Sequence, residues 1–161
     1  MQIAQGQTVI QRILDQALNR GDLAVIDQLV APEAAPRSGW DTPASRAELK
    51  QLVLALRTAF PDLRCTVEDE IQMGSKSAAH WTLCGTHQGM LMGNRPTGRT
   101  VRVEGMIHAR MAQDRIAEFR ILVDRLGMLQ QLGLVPSSPV RPSYQEIRID
   151  ENDRLKKGRL G

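Results

Sequence analysis

Residues 98–124, GRTVRVEGMIHARMAQDRIAEFRILVD, decide the fold. From Val101 onward the residues alternate. Val101, Val103, Ile107 and Ala109 fall on one side, and Arg102, Glu104, Met106 and His108 on the other. A period of two is the signature of a strand with one buried face. The run pauses at Ala112-Gln113-Asp114. It then resumes with Ala117, Phe119, Ile121 and Val123 set against Glu118, Arg120, Leu122 and Asp124. Two strands joined so tightly pair antiparallel. A three-residue loop at 112–114 predicts Met111 opposite Arg115, His108 opposite Glu118 and Met106 opposite Arg120. It also sets Glu104 opposite Leu122 and Arg102 opposite Asp124. The first strand is long enough that it must bend, and Gly105 is the natural place for a bulge or kink.

Upstream, the same period predicts strands at about 63–73 and 77–87, with a turn at Gly74-Ser75 and a Gly/Pro loop at 88–97. Before Pro61 the period is helical. QTVIQRILDQAL (7–18) places Val9, Ile10, Ile13, Leu14 and Ala17 on one stripe, closed by Asn19-Arg20-Gly21. Asp22 caps a short helix, LAVIDQLV, which Pro32 ends. Residues 33–44 read as irregular. Ser45 or Thr42 then caps RAELKQLVLALRTAF, whose stripe is Leu49, Leu52, Val53, Leu56 and Phe60. A last helix, RLGMLQQLG, follows the final strand. Residues 1–135 thus read as one domain and 136–161 as a polar tail without a core. Three helices and a four-stranded antiparallel meander predict an α+β architecture: a cone-shaped, curved sheet whose open side the helices close over a pocket.

Composition narrows the partners. The chain has 161 residues, 42% hydrophobic and 24% charged, enough to bury a core unaided. Aromatics are only 3%, so Leu, Ile, Val, Ala and Met must build that core. The net charge is +3, but Arg154, Lys156, Lys157 and Arg159 crowd the last positions, and no basic stripe is interleaved with aromatics. Nucleic acid is therefore not an expected partner. No apolar run approaches the roughly 20 residues that span a bilayer, and no leader pattern is read at the N-terminus, so the expected compartment is cytoplasmic. Cys65 and Cys84 fall on paired strands, where a bridge or two reduced thiols would fit; a cytoplasmic setting favours thiols. His80, His87 and His108 lie too far apart for a metal site. Residues 93–99 lack a helix-linked phosphate loop, so nucleotide is not expected either.

Two stretches carry a resemblance. CGTHQGMLMGNRPTGRTVRVEG (84–105) resembles the "GTH-x-G … G-x-x-PTGR-x-V-x-x-x-G" stretch of the SnoaL-like polyketide cyclases, also termed ester cyclases. DRLGMLQQLG (124–133) resembles their closing "D-x-x-GLLQQLG" helix, and FPDL (60–63) and VED (67–69) follow in order. The resemblance spans about residues 7–135. It implies the nuclear-transport-factor-like, cystatin-like α+β barrel fold, in dimers or tetramers formed through the outer sheet face. It also implies ring closure in a polyketide by an intramolecular aldol step, with an acidic residue as general acid/base and neither cofactor nor metal. Asp124 stands at the family's acid position. Glu118-Phe119-Arg120-Ile121-Leu122-Val123 replaces the family's His-Trp pair and second Trp, which argues against a large flat aromatic substrate.

The charged face of the last hairpin allows two readings. The residues alone favour a solvated sheet surface over a buried apolar face. The resemblance, which implies an acid inside the pocket, turns the expectation to a charged face lining the pocket, with the apolar face between subunits. Asp124 would then be a base whose pKa desolvation raises and Arg102 opposes, with His108 donating to a developing enolate. Arg102, Glu104, Arg120, His87, Trp81 and Met106 would bind substrate. The expected function is a cofactor-independent cyclase or isomerase of a small, carbonyl-bearing, apolar molecule. The alternatives are a limonene-epoxide-hydrolase-like hydrolase and a non-catalytic ligand-binding or dimerisation domain.

Overall fold

Thr8 starts the first helix with a reciprocal cap. Its hydroxyl accepts from Gln11 N–H at 3.1 Å, and the Gln11 side chain accepts from Thr8 N–H at 3.3 Å. The computed structural model describes residues 7–36, 43 and 45–137. The predicted tail therefore lies almost wholly outside the described residues. Helix α1 (Val9–Arg12) widens into a π-helical segment, Ile13–Asn19, and Ile10, Ile13, Ala17 and Leu18 form its buried stripe. The Arg57 guanidinium donates to the carbonyls of Leu18 and Asn19 at 2.8 and 2.7 Å, satisfying the end of that segment.

The remaining elements are α2 (Ala24–Leu29), β1 (Val30–Pro36), α3 (Arg46–Ala59), β2 (Arg64–Met73), β3 (Lys76–Thr86), β4 (Thr100–Ala112), β5 (Arg115–Val123) and α4 (Arg125–Gln131). Ser45 caps α3, its hydroxyl accepting from Glu48 N–H at 3.1 Å. One curved, unclosed sheet runs in the order β1-β5-β4-β3-β2. The meander β2 to β5 is antiparallel, as predicted.

Four features depart from the sequence reading. Residues 30–36 were expected to end a helix and then run irregularly, yet they form β1, parallel to β5. Its two prolines lack N–H groups, which is tolerable only in an edge strand that pairs on one side. The last hairpin turns over two residues, Gln113 and Asp114, both at positive φ (51° and 59°). A bulge follows between Arg110 and Met111. His108 therefore faces Arg120, Met106 faces Leu122 and Arg110 faces Glu118. Beyond the bulge the predicted register was off by two, which leaves those side chains on their predicted face, whereas at the turn the bulge brings Ile116 opposite Met111 and turns it inward. Gly105 makes no bulge: pairing runs unbroken from Lys76↔Arg110 to Thr86↔Thr100. In β2 the register slips between Val67 and Asp69, which turns Glu70 inward beside Ala79. There the Glu70 carboxylate accepts from the hydroxyls of Thr8 and Ser77, both at 2.6 Å, and ties helix to sheet.

As an edge strand, β2 needs partners on its open side. Asn19 supplies them at Cys65, where its carboxamide donates to the carbonyl at 2.9 Å and accepts the N–H at 2.7 Å. Cys65 faces Leu83 across the pair while Cys84 faces Arg64, so the two thiols lie on opposite faces of the sheet and make no bridge. Burial pushes the Cys65 thiol up to about 12. It stays protonated at neutral pH and is therefore unreactive. In the native protein one thiol, half-buried Cys84, is expected to react with a chromogenic disulfide reagent at pH 8, and the second only after denaturation. Rapid reaction of both in the native state would contradict this.

Candidate functional site

The apolar stripes of the π-helical segment and of α3 must be covered, and the apolar face of β3–β5 covers them. Contact is incomplete, and a cavity of about 690 Å³ remains between the two layers. The sheet lines it with Trp81, Leu83, Val103, Ile107, Ile116, Phe119, Ile121 and Val123. The helices contribute Ile13, Leu14 and Leu18, then Leu49, Leu52, Val53 and Leu56 of α3, and Met128 of α4. Among the described lining residues only Glu48 and Arg125 are ionisable, and both are exposed, which places them at the rim.

The expectation that the charged face lines the pocket is thereby corrected: the faces are exchanged. An apolar face gains by packing against apolar helices, whereas the charged one would lose its hydration there. Asp124 is exposed and caps α4, its Oδ1 accepting from Gly127 N–H at 2.8 Å. A Cβ on Gly127 would lie 2.1 Å from the other carboxylate oxygen, so the glycine makes room for the cap. His108 and Arg120 are exposed on the outer face, opposite each other. Glu104 stands 3.5 Å from His80, and the Arg102 guanidinium 3.7 Å from Glu68. Met106 is 51% exposed. None of these six lines the cavity. Trp81 does, and is itself buried.

His87 is fully buried but is not part of the cavity wall. Its Nδ1 accepts from Thr97 N–H at 3.2 Å, with the Thr97 hydroxyl at 3.1 Å, so the neutral ring carries its proton on Nε2. That Nε2 has no hydrogen-bond partner among the described residues. The ring centre lies 5.6 Å from that of Phe60. Nearby, Gln88 and Gly89 both donate to the Ala59 carbonyl, at 2.9 and 3.1 Å. A Cβ on Gly89 would sit 2.1 Å from the Thr58 carbonyl oxygen, a backbone atom that cannot yield. The GTH-x-G motif is thus a clamp between loop 87–99 and the end of α3. The loop's tip turns through Met92 (φ 46°) and Gly93 (φ 79°) and brings Met92 to the cavity, where Arg125 donates to its sulfur at 3.5 Å.

The sequence reading gave the helical leucines as apolar stripes and named none of them as a site residue. The signal that they face a cavity is weak, because a packed core and a cavity wall share one stripe. Among the described residues no cluster of His, Cys, Asp or Glu could hold a metal ion, and no helix is long and apolar enough to cross a membrane.

Helices laid across one face of an open, curved five-stranded sheet, with an apolar cavity between them, define a nuclear-transport-factor-like α+β domain. The family model for SnoaL-like polyketide cyclases matches residues 8–132, and the chain belongs to that family. Solved structures agree. IdmH of Streptomyces antibioticus, described as a candidate polyketide cyclase, is 30% identical with a TM-score of 0.66, over 78% of this chain and 96% of that one. AclR of Streptomyces galilaeus, described as a candidate hydroxylase, is 28% identical with a TM-score of 0.72, over 82% and 87%. TsrD of Streptomyces laurentii shares the fold at 23% identity and a TM-score of 0.71, over 79% and 93%. No curated protein matches the chain.

Proposed function

We propose that this chain takes a small, largely apolar, carbonyl-bearing molecule of polyketide type into the cavity and holds it folded for ring closure. The supporting observation is the wall itself, which is apolar apart from Gln51, with Trp81 and Phe119 its aromatic members, and has its charge only at the rim. Such a wall contributes shape and exclusion of water rather than a buried acid. Confinement is a large term: well-oriented intramolecular reactions reach effective molarities of about 10⁵ M and above. A poly-β-ketone enolises readily between its carbonyls, so its aldol closure does not need a strong buried base. Proton exchange then belongs at the rim, where Glu48 is the carboxylate among the described lining residues. In this reading Asp124 serves as a helix cap, and His108, Arg102, Glu104 and Arg120 act on the outer face. An epoxide hydrolase would need a carboxylate-arginine cluster inside the cavity, which the wall does not favour.

The same apolar wall also suits a non-catalytic carrier. A linear poly-β-ketone thioester of N-acetylcysteamine, followed by mass spectrometry with and without protein, separates the two. The wild type and Asp124→Asn are expected to hasten cyclisation alike, and Glu48→Gln to slow it. Binding of 2-alkanone probes without any acceleration would leave the carrier. Binding of neither would remove the proposal.

The outer face of the sheet, in this reading, joins two copies of the chain. Met106 and Leu122, 51% and 55% exposed, stand opposite each other there. Sedimentation equilibrium should show a dimer or tetramer for the wild type and a monomer for Met106→Glu/Leu122→Glu. A monomeric wild type would dismiss the idea.

A further inference from the structure

Trp81 and Gly105 are direct cross-strand partners in β3 and β4, and both point inward. A Cβ built on Gly105 would lie 2.1, 2.5 and 2.6 Å from Cζ2, Cη2 and Cε2 of the Trp81 indole. The six-membered ring therefore occupies the space that a side chain at 105 would take, pressed against the backbone of β4. Trp81 is 7% exposed and lines the cavity. Its neighbours on that wall are Leu83, Val103 and Ile107.

We infer that Gly105 is a specificity-determining residue: by seating the Trp81 indole in the sheet, it sets the size of the cavity and hence the largest ligand the chain accepts. The inference rests on the cavity being the ligand site, as proposed above. The geometry leaves little alternative. Ordinary carbon contacts lie at about 3.5–4.0 Å, so a methyl at 105 forces the ring away by roughly 1.5 Å. Strand β4 is bonded on both sides, to β3 and to β5, and cannot retreat. The ring must lift off the inner face, and that direction leads into the cavity. Conversely, a smaller side chain at 81 leaves the recess above Gly105 empty and enlarges the space.

Linear 2-alkanones of increasing length, titrated calorimetrically, provide the measurement. In an apolar cavity each added methylene strengthens binding about fourfold until the space is full. Wild type should climb and then stop at a definite length. Gly105→Ala is expected to stop at least one methylene earlier, and Trp81→Leu at least one later. Trp81→Phe should fall between wild type and Trp81→Leu. Should Trp81→Leu fail to fold, as judged by circular dichroism, Gly105→Ala and Trp81→Phe carry the comparison. An identical stopping length in the wild type and every folded variant overturns the role of Gly105 while leaving the cavity as a binding site. Failure of the wild type to bind any 2-alkanone overturns both.

Discussion

Leu56→Glu is expected to weaken 2-alkanone binding at least tenfold, equivalent to about 1.4 kcal/mol, and to abolish any acceleration of ring closure. Leu56 lies seven residues after Leu49 and three after Val53 on α3, within the stripe that faces the cavity. It is half-buried, and glutamate is a good helix former, so the helix should survive the change. The carboxylate then has two choices. It can project into the apolar space, hydrated by water that a ligand must displace, or it can bend toward the rim and stand where the ligand enters. An unpaired charge enclosed with an apolar ligand costs several kcal/mol, so either position works against binding. Leu54 supplies the control. It is 51% exposed, lies on the same helix and does not line the cavity. Leu54→Glu should bind as the wild type does. Undiminished affinity in Leu56→Glu would mean that ligands are held elsewhere.

The second large effect is on stability. Phe60→Ala should cost about 3–5 kcal/mol, because Phe60 is fully buried and an alanine leaves a cavity that its surroundings cannot refill. For a chain of this length, that lowers the melting temperature by roughly 10 °C. Phe60 ends α3, its ring adjoins that of His87, and its Cβ would lie 3.0 Å from a Cβ on Gly85. Its removal therefore loosens the clamp that carries loop 87–99 and, through it, Met92 at the cavity. Phe60→Leu retains much of the volume and should lose less than about 1.5 kcal/mol. A calorimetric melt of Phe60→Ala within two degrees of the wild type would contradict this account.

The outer face shows why a plausible site can be misplaced from sequence. Its charged residues alternate with apolar ones, and the alternation says which side chains travel together. Arg102, Glu104, Met106 and His108 share a face whatever the register, since even the two-residue error in the last hairpin preserved it. Asp124 illustrates a different limit. A carboxylate before Arg125-Leu126-Gly127 fits both a catalytic acid and a helix cap, and the 2.8 Å contact to Gly127 N–H, which makes it a cap, is visible only in the tertiary structure. Glu70 was beyond reach altogether, because a single extra residue in β2 turned it from solvent to the helices. The motif residues His87 and Gly89 were legible as important, but their role as a clamp depends on Ala59 and Thr58, nearly thirty residues away in the chain.

The amino-acid sequence alone determined the period of the elements other than β1, the meander from β2 to β5 and, away from the two bulges, the sorting of side chains onto two faces. These follow from backbone geometry over a few residues, where local chemistry suffices. Tertiary structure decided which face turned inward, whether a proline-bearing stretch could serve as an edge strand, and that the space under the helices stayed open. Each of those outcomes depends on the surface that meets the element from elsewhere in the chain, and burial is a property of the pair rather than of either partner.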